Sequence, residues 1–345
     1  MKMRSPLSID APCGEVRLLA ADWMERLEEA KTREGRSQGV FGSVANNRDG
    51  LAESVVIPVE LRWHGGQPPF SVEIGGCRHI CPERRLEVVN LETGKGMDWL
   101  LADSDGQMVQ GHFTTAPGPR LIQMPERDHG PVNFRDVGGW PWRLYGRSGR
   151  LRQGLLYRGS AVGEWLSASE ANNAFVRDVL GVKTDVDLRY VQQVQGKTGS
   201  DLGKGIRWLC HHINAYDSFT DEQRAVWRDA VAVFADRNLY PVYFHCSGGV
   251  DRTGELAFLL QGLCGVPPEW LFIDYELSSL AGFPRDRTIP YLQEWLQGLR
   301  SFAPAGAPWH DVVECYLLAI GVTASQIASI REILMGEDDI PRNRE

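Results

Sequence analysis

The residues best suited to chemistry lie in one short segment, "YPVYFHCSGGVDRTGELAFLL", at 240–260. Its apolar first part is typical of a buried strand and ends at Cys246, while the part that begins at Arg252 has the composition of a helix. Between them, Gly248 and Gly249 permit the positive φ angles of a tight loop. Such a strand-to-helix loop presents backbone amides and the helix dipole to an anion. The segment therefore predicts a phosphate-binding loop.

The side chains of this loop predict an attack on the bound phosphoryl group. Arg252 offers a planar pair of donors to two phosphate oxygens. The positive potential that holds the phosphate also stabilises the thiolate of Cys246, an in-line nucleophile. Thr253 is expected to donate its hydroxyl to the thiolate or to assist the departing phosphate, and His245 to fix the loop geometry. The predicted phosphate-binding residues are Ser247, Gly248, Gly249, Val250, Asp251 and Arg252.

The plainer alternative is a buried cysteine that ends a strand ahead of a helix. A family resemblance favours the chemical interpretation, because "HCSGGVDRTG" (245–254) resembles the HCxxGxxR(S/T) signature of the cysteine-dependent protein tyrosine and dual-specificity phosphatases. Four more segments resemble markers of a bacterial tyrosine phosphatase subgroup: "NFRDVGG" (133–139), "LYRGS" (156–160), "DVDLR" (185–189) and "DYELS" (274–278). The resemblance covers residues 130–335 and implies a phosphomonoester hydrolase with a cysteinyl-phosphate intermediate.

This implied mechanism needs a carboxylic acid that protonates the leaving oxygen and later acts as a base towards water. Asp217 lies between a predicted strand and a predicted helix, at a point similar to the mobile-loop acid of dual-specificity phosphatases. Asp251 lies inside the loop, as in the "DRT" loops of the bacterial subgroup and of some lipid phosphatases. We favour Asp217. The alternatives are a helix N-cap or a plain loop aspartate for Asp217, and a structural acceptor within the loop for Asp251.

Other residues are expected to support the site. Arg135 and Asp136 are predicted to form a structural pair near it, with a substrate contact as the alternative. Arg189 is expected to order the end of a strand rather than to touch the substrate. Three aromatic residues are candidates to flank an aromatic phosphoester, with buried packing as the commoner fate of tryptophan: Trp140, Trp142 and Tyr190.

Val250 departs from the bacterial subgroup, which often carries lysine there, in "GKDRT". That lysine is associated with phosphoinositide or polyanion binding, so its absence weakens such a function. We therefore expect phosphorylated proteins as substrates, above all those with phosphotyrosine, with dual specificity as a variant. The alternatives are an inositol-phosphate or phosphoinositide phosphatase of the same mechanism, and a catalytically weak phosphate-binding interaction protein.

The elements that must position this loop show an α/β pattern. Strand candidates are 154–159, 182–189, 206–214 and 240–246, and helix candidates between them are 167–181 and 220–238. Alternating strands and helices predict a central sheet with helices on its faces. The family resemblance implies that this sheet is mixed, and we assign residues 121–345 to the phosphatase domain.

The chain ahead of this domain shows a different texture. Residues 15–35 predict a helix from the spacing of Leu18, Leu19, Trp23 and Leu27, within an N-terminal helical segment at 1–50. Short β-rich runs at 51–120 predict a small antiparallel β-sandwich that resembles fibronectin-III-like modules. Pro58 makes its first run a candidate edge strand. A protein or a carbohydrate is the expected partner of this domain.

Composition limits the class of protein. A length of 345 residues predicts two domains, and the net charge of −8 argues against nucleic-acid or membrane binding. No transmembrane stretch or signal peptide is evident, so a cytoplasmic location is expected, or a secreted or periplasmic one if this chain lacks a targeting segment. Seven cysteines favour reduced thiols. The grouping of Cys77, His79, Cys81 and His112 lacks zinc-site spacing, so we expect no metal and no cofactor.

Overall fold

The computed structural model describes residues 6–20, 25, 55–281 and 289–336. These residues form an N-terminal β-sandwich and a C-terminal α/β unit, and each has its own buried apolar cluster. Within the described ranges, no helix is both long enough and apolar enough to cross a membrane.

The N-terminal unit packs two sheets against each other. Its strands are β1 (Ser8–Ala11), β2 (Glu15–Val16), β3 (Val59–His64), β4 (Phe70–Ile74), β5 (Cys77–Cys81), β6 (Arg85–Val88), β7 (Gly96–Ala102) and β8 (Met108–Thr115). One sheet has the order β1–β3–β6 and the other β2–β8–β7–β4–β5. In β3, Val59, Leu61 and Trp63 are buried between the sheets while alternate residues are more exposed, as period-two patterning requires. All pairs are antiparallel except β2 with β8.

Two predictions for this region are wrong. Glu15–Val16 is a strand paired with β8, and Leu19 forms a β-bridge with Val56, so this part of the predicted 15–35 helix and of the 1–50 helical segment is extended. β3 is the central strand of its sheet rather than an edge strand, because Pro58 precedes its first residue and removes no ladder bond. Glu25 is helical, as predicted, and the remaining positions of the predicted helix, at 21–24 and 26–35, lie outside the described residues.

The α/β unit carries the remaining strands and the described helices. Its strands are β9 (Arg135–Asp136), β10 (Pro141–Leu144), β11 (Arg147–Arg150), β12 (Leu156–Ser160), β13 (Thr184–Asp187), β14 (Arg207–Cys210) and β15 (Val242–Cys246). Its helices are α1 (Glu170–Ala174), α2 (Asp221–Ala232), α3 (Asp251–Leu263), α4 (Pro268–Glu276), α5 (Ile289–Arg300), α6 (Trp309–Ala319) and α7 (Ala324–Leu334). A π-helical turn at Phe175–Val179 continues α1. All four strand candidates of the sequence are strands here.

The central sheet places Cys246 at the carboxyl end of an inner strand. The sheet order is β14–β13–β15–β12–β9; all neighbours are parallel except β9, which runs antiparallel to β12. This is the mixed sheet that the resemblance implies. Every residue of β15 is buried, and α3, which follows it, is buried along almost its whole length. Ligands of such sheets bind beyond the carboxyl ends of the strands, which is where the loop at 247–250 lies.

Candidate active site

The loop at 247–250 joins β15 to α3 directly after Cys246, whose side chain is buried. The carbonyls of Cys246 and Ser247 both accept the N–H of Ala161, at 2.8 and 3.0 Å, which fixes the loop to the end of β12. Among the described residues, the backbone N–H groups of 247–250 donate no hydrogen bond. Four unpartnered amides at a helix N-terminus form a cradle suited to an anion.

Gly249 determines how the loop closes. Its φ is +68°, and a Cβ at this position would lie 2.2 Å from the carbonyl oxygen of Gly159, so only glycine fits. Its own carbonyl accepts two side-chain hydrogen bonds, from Asn133 Nδ2 at 2.8 Å and from Arg158 Nη2 at 2.9 Å. Because this carbonyl is bonded to the body of the protein, it does not compete with the amides for the anion site.

Two buried arginines share one carboxylate behind the loop. Arg135 Nε lies 3.0 Å from Asp274 Oδ1, and Arg158 Nη1 lies 2.5 Å from Asp274 Oδ2. The pKa of Arg158 falls to about 10, because burial and the positive charge of Arg135 outweigh the carboxylate of Asp274 and the thiol of Cys246. Two guanidinium groups facing one carboxylate leave an excess of positive charge next to Cys246, which favours the binding of an anion there.

Arg135 and Asp136 do not form the predicted pair. They are neighbours on β9, so their side chains point to opposite faces of the sheet. Asp136 binds Arg120 at 3.0 Å and accepts the N–H of Gly138 at 2.8 Å. Arg135 instead reaches Asp274, which lies far away in the sequence. No local pattern identifies that partner, although Arg158 and Asp274 both lie in the quoted segments "LYRGS" and "DYELS".

Arg252 lies in the first turn of α3 and is almost fully buried. Its Nη1 donates to the carbonyl of Leu188 and to Gln193 Oε1, both at 3.1 Å, and its guanidinium carbon lies 4.2 Å from the ring centroid of Tyr190. Among the described residues, its Nε and Nη2 make no hydrogen bond. These two groups are the fork that can grip two phosphate oxygens. The buried hydroxyl of Thr253 also has no partner within the described part of the chain.

His245 is enclosed by acidic residues. Its Nε2 lies 2.9 Å from Asp185 Oδ1, its Nδ1 lies 4.0 Å from Asp187 Oδ1, and its ring stacks on Tyr243 with centroids 5.2 Å apart. Burial lowers the pKa of His245, but the charge of Asp185 and its hydrogen bond outweigh burial and raise that pKa to about 9. A histidine held in this way orders the strand end and is poorly suited to act as a base.

The two candidate acids have different surroundings. The carboxylate of Asp251, in the first turn of α3, accepts a hydrogen bond from the Tyr216 hydroxyl. Asp217 is partly exposed in the loop at 214–219, and its carboxylate makes no hydrogen bond or ion pair among the described residues. The alternative role of Asp217 as an N-cap is wrong, because the N-cap of α2 is Thr220, whose side chain accepts the N–H of Gln223.

The rim of the site includes residues that the motifs do not point to. The hydroxyl of Ser247 donates to Glu164, and Trp165 Nε1 donates to the carbonyl of Ser247 at 3.0 Å. Glu164 and Trp165 follow β12, and they reach the loop because β12 pairs in parallel with β15, with Ser160 opposite Cys246. This strand pairing is not visible in the sequence, so no motif points to the two residues.

The remaining candidates divide between the site and the core. Arg189 lies 2.6 Å from Asp187 at the end of β13, and Tyr190 lies over Arg252. Trp140 and Trp142 are both buried, so they pack in the core instead of flanking a ligand. No group of three or more His, Cys, Asp or Glu side chains in the described ranges is arranged to hold a metal ion.

The fold places a buried cysteine at the end of a strand, directly before a strand-to-helix loop whose amides are suited to an anion. A model of the tyrosine phosphatase family matches residues 129–336. This match covers more than half of the chain and includes β9 to β15 and the loop. The chain therefore belongs to the tyrosine phosphatase family.

Individual similar proteins share less of the chain. A tyrosine-protein phosphatase from Nostoc commune is 28% identical over 130 residues, which is 31% of this chain and 44% of that protein. The core catalytic domain of the PP-IP phosphatase Siw14 from S. cerevisiae, in complex with citrate, has 17% identity and a TM-score of 0.30 over 44% of this chain and 90% of its own. P. aeruginosa TpbA in complex with pTyr has 18% identity and a TM-score of 0.32 over 53% of this chain and 97% of its own.

Proposed function

We propose that this chain hydrolyses phosphomonoesters through a cysteinyl-phosphate intermediate, and that its substrates are proteins that carry phosphotyrosine. The observation that carries the proposal is the set of amides at 247–250, which donate no hydrogen bond within the described part of the chain. They follow Cys246 in the chain and precede Arg252, whose Nε and Nη2 also make no hydrogen bond to a described residue. In the proposed complex, these donors hold a phosphoryl group next to the sulfur of Cys246, the residue that directly precedes the loop. Membership of the tyrosine phosphatase family supports the same chemistry.

The first step transfers the phosphoryl group to the protein. The Cys246 thiolate attacks phosphorus, the S–P bond forms, and the bond from phosphorus to the leaving oxygen breaks. The loop amides and Arg252 bind the equatorial oxygens, whose negative charge they stabilise in the transition state. Asp217 gives its proton to the leaving oxygen, which departs as a neutral alcohol or phenol. Asp217 suits this role because its carboxylate has no competing partner among the described residues.

The second step releases the phosphate. Water attacks the phosphorus of the cysteinyl phosphate while the Asp217 carboxylate accepts one of its protons, and the S–P bond breaks to return the thiolate. The hydroxyl of Thr253, next to Arg252, has no partner among the described residues, and we propose that it donates a hydrogen bond to the sulfur as it leaves. No metal or cofactor takes part in either step of the proposed mechanism.

The surroundings of the loop favour an aromatic phosphoester. Trp165 and Tyr190 are half-exposed aromatic residues beside the loop, one bonded to Ser247 and the other stacked on Arg252, and their rings can flank a phenyl group. Val250 is apolar and buried, so this position offers no positive charge that could bind a second phosphate. The nearby cation Arg189 is already paired with Asp187. These features favour a single aryl phosphate over a densely charged inositol phosphate.

A substrate panel tests this proposal. We expect the protein to hydrolyse p-nitrophenyl phosphate, the Cys246→Ser variant to lose this activity without loss of fold, and kcat/KM to be higher for a phosphotyrosine peptide than for a phosphoserine peptide, phytate or a soluble phosphoinositide. Higher kcat/KM for phytate or the phosphoinositide would overturn the proposed substrate. No hydrolysis of any of these compounds would favour the alternative of a phosphate-binding interaction protein.

A further inference from the structure

Glu255 is a fully buried carboxyl group one helical turn beyond the phosphate-binding loop. Its Oε1 accepts the backbone N–H of Tyr216 at 2.9 Å, and its Oε2 bonds the hydroxyl of Ser218 at 3.0 Å. Burying a carboxyl group is costly unless its oxygens are satisfied. Here both oxygens bond the same loop, and they bond the two residues that flank Asp217.

Other groups complete the attachment of Ser218 behind Asp217. Trp295 Nε1 donates to the hydroxyl of Ser218 at 2.8 Å, and the Tyr316 hydroxyl donates to its carbonyl at 2.9 Å. These donors come from α5 and α6, which are distant from the loop in sequence. Ser218 is therefore bonded from three sides, while the neighbouring Asp217 carboxylate stays unbonded within the described part of the chain.

Tyr216 is attached as firmly on the other side of Asp217. Its hydroxyl donates to the carboxylate of Asp251 and lies 2.9 Å from the hydroxyl of Tyr275. Its φ is +60°, an uncommon value for tyrosine that needs support from the surrounding structure. The hydrogen bond from its N–H to Glu255 is such a support, because it fixes the peptide at the bend.

We propose that Glu255 is a positioning residue, which holds Tyr216 and Ser218 so that the carboxyl group of Asp217 between them faces the leaving oxygen of the bound phosphoester. Glu255 touches no substrate and acts only through Asp217. The inference rests on the proposed function, because it assumes that Asp217 is the acid of a phosphoryl-transfer reaction.

The protonation state of Glu255 shows which substitutions are conservative. Burial raises the pKa of Glu255 to about 8, so near neutral pH it is mostly a neutral acid. In that form Oε1 still accepts the N–H of Tyr216, and the protonated Oε2 donates to the Ser218 hydroxyl, which reverses the bond that the carboxylate accepts from it. Glutamine has the same shape and the same pair of functions, and its Oε1 and Nε2 can serve Tyr216 and Ser218. Methionine has a similar volume and can serve neither.

The test measures how strongly the reaction depends on the leaving group. For each variant of the full chain, kcat/KM is measured with 2,4-dinitrophenyl phosphate, which needs little protonation, and with phenyl phosphate, which needs it. Because kcat/KM reports transfer to the cysteine and not the later hydrolysis, the ratio of the two values isolates the acid. We expect Asp217→Asn and Glu255→Met to raise this ratio about 10²-fold. Glu255→Gln should keep the ratio of the unmodified protein.

Two further variants separate positioning from general damage to α3. Gln261→Met removes another buried polar side chain of the same helix, one whose amide has no hydrogen-bond partner among the described residues, and should leave the ratio unchanged. Ser218→Ala removes one of the two bonds to Glu255 and should raise the ratio, but by less than Glu255→Met. It decides the matter if Glu255→Met does not fold.

The outcomes distinguish this inference from the proposed function. The positioning role is overturned if Asp217→Asn raises the ratio but Glu255→Met leaves it unchanged. If Glu255→Met does not fold, an unchanged ratio in Ser218→Ala has the same meaning. Either result leaves the proposed function intact. A raised ratio in Asp251→Asn but not in Asp217→Asn would show that the acid is Asp251, and would overturn the inference as well. If the unmodified protein hydrolyses neither ester, the proposed function itself fails.

Discussion

His245, the first residue of the "HCSGGVDRTG" segment, has a pKa that is raised by the acidic residues around it. Its side chain is almost fully buried, and its Nε2 lies 2.9 Å from Asp185 Oδ1. The folded-state pKa of about 9 is above the ordinary value of 6.5. A raised folded-state pKa means that this ion pair stabilises the fold fully below about pH 6.5, and that the stabilisation is lost as the pH rises through about 9. The positive charge of His245 therefore links the stability of the strand end to pH.

We predict that Asp185→Asn lowers the free energy of unfolding by about 3 kcal/mol at pH 6, because it leaves a buried imidazolium without its partner. The loss should be smaller at pH 9, where the native ion pair is itself weakened. Urea denaturation at the two pH values measures both quantities. Asp98→Asn is the matched control, since it breaks the exposed Asp98–His112 pair and should change little. An equal loss at both pH values would contradict the assigned charge of His245.

At this scale the sequence could predict that Cys246 and Arg252 lie at the two ends of one loop, but not which residues support that loop. Cys246, Arg252 and the glycines belong to one continuous motif, so their types and spacing are informative on their own. The partner of Arg135 and Arg158 is Asp274, which lies more than a hundred residues further along the chain. Such a pairing depends on how α4 packs against the sheet, and no local pattern encodes it. The pair predicted from adjacency, Arg135 with Asp136, is wrong for the same reason.

Among the elements, the unit of strand, loop and helix at 242–263 organises the site, and Gly249 is its tightest point. Gly249→Ala would place a methyl group against the carbonyl of Gly159 in β12. We predict that this variant loses stability, by about 2 kcal/mol or more from overpacking and strain, and loses most of its phosphatase activity as the cradle opens. Thermal unfolding and hydrolysis of p-nitrophenyl phosphate measure the two effects.

Gly181 provides the matched control for this prediction. Its φ is +70°, close to that of Gly249, but a Cβ there would meet nothing within 4 Å. Gly181→Ala should therefore show only the strain of a positive φ, about 1 kcal/mol, and keep full activity. If the two variants behaved alike, the close approach of Gly249 to β12 would not be what shapes the cradle.

Periodicity predicted the elements well where the pattern is local and poorly where pairing is distant. The four parallel strands lie within short segments that the sequence marks as strand candidates between helical ones, and each is found. Leu18 and Leu19 have spacing compatible with a helix. However, β2, which ends two residues before Leu18, pairs with Thr114 and Thr115, which lie far away in the sequence. The sequence of this segment alone does not contain that partner. Long-range strand pairing overrode the local pattern.

In the whole molecule, a polar junction joins the sandwich to the α/β unit. Arg120 donates to the carbonyl of Asn90 in the sandwich, at 2.7 Å from Nη2, and to Asp136 of β9, at 3.0 Å from Nη1. Thr93 and Gln153 exchange two further hydrogen bonds across the junction, each of 2.8 Å. The predicted boundary near residue 120 is therefore a region of contacts between the two units rather than a free linker.

We predict that the protein unfolds in one calorimetric transition and that Arg120→Ala separates it into two, because the variant loses the side chain that bridges the two units. Its buried partner Asp136 would also be left without a counter-charge, which lowers the stability of the phosphatase domain. Arg84→Ala serves as the control, since Arg84 donates to two carbonyls within the sandwich, at residues 65 and 66. That variant should keep a single transition. Two transitions in the unmodified protein would contradict coupling through this junction.

The central claim, that Cys246 carries the phosphoryl group during turnover, is tested most directly by trapping the intermediate. The protein is mixed with a ³²P-labelled phosphotyrosine peptide, quenched in acid during turnover and digested, and the labelled peptide is located by mass spectrometry. We predict label on the peptide that contains Cys246, more label in Asp217→Asn if loss of the base slows hydrolysis more than transfer, and none in Cys246→Ser. Turnover without label on Cys246, or hydrolysis by Cys246→Ser at the rate of the unmodified protein, would contradict the account.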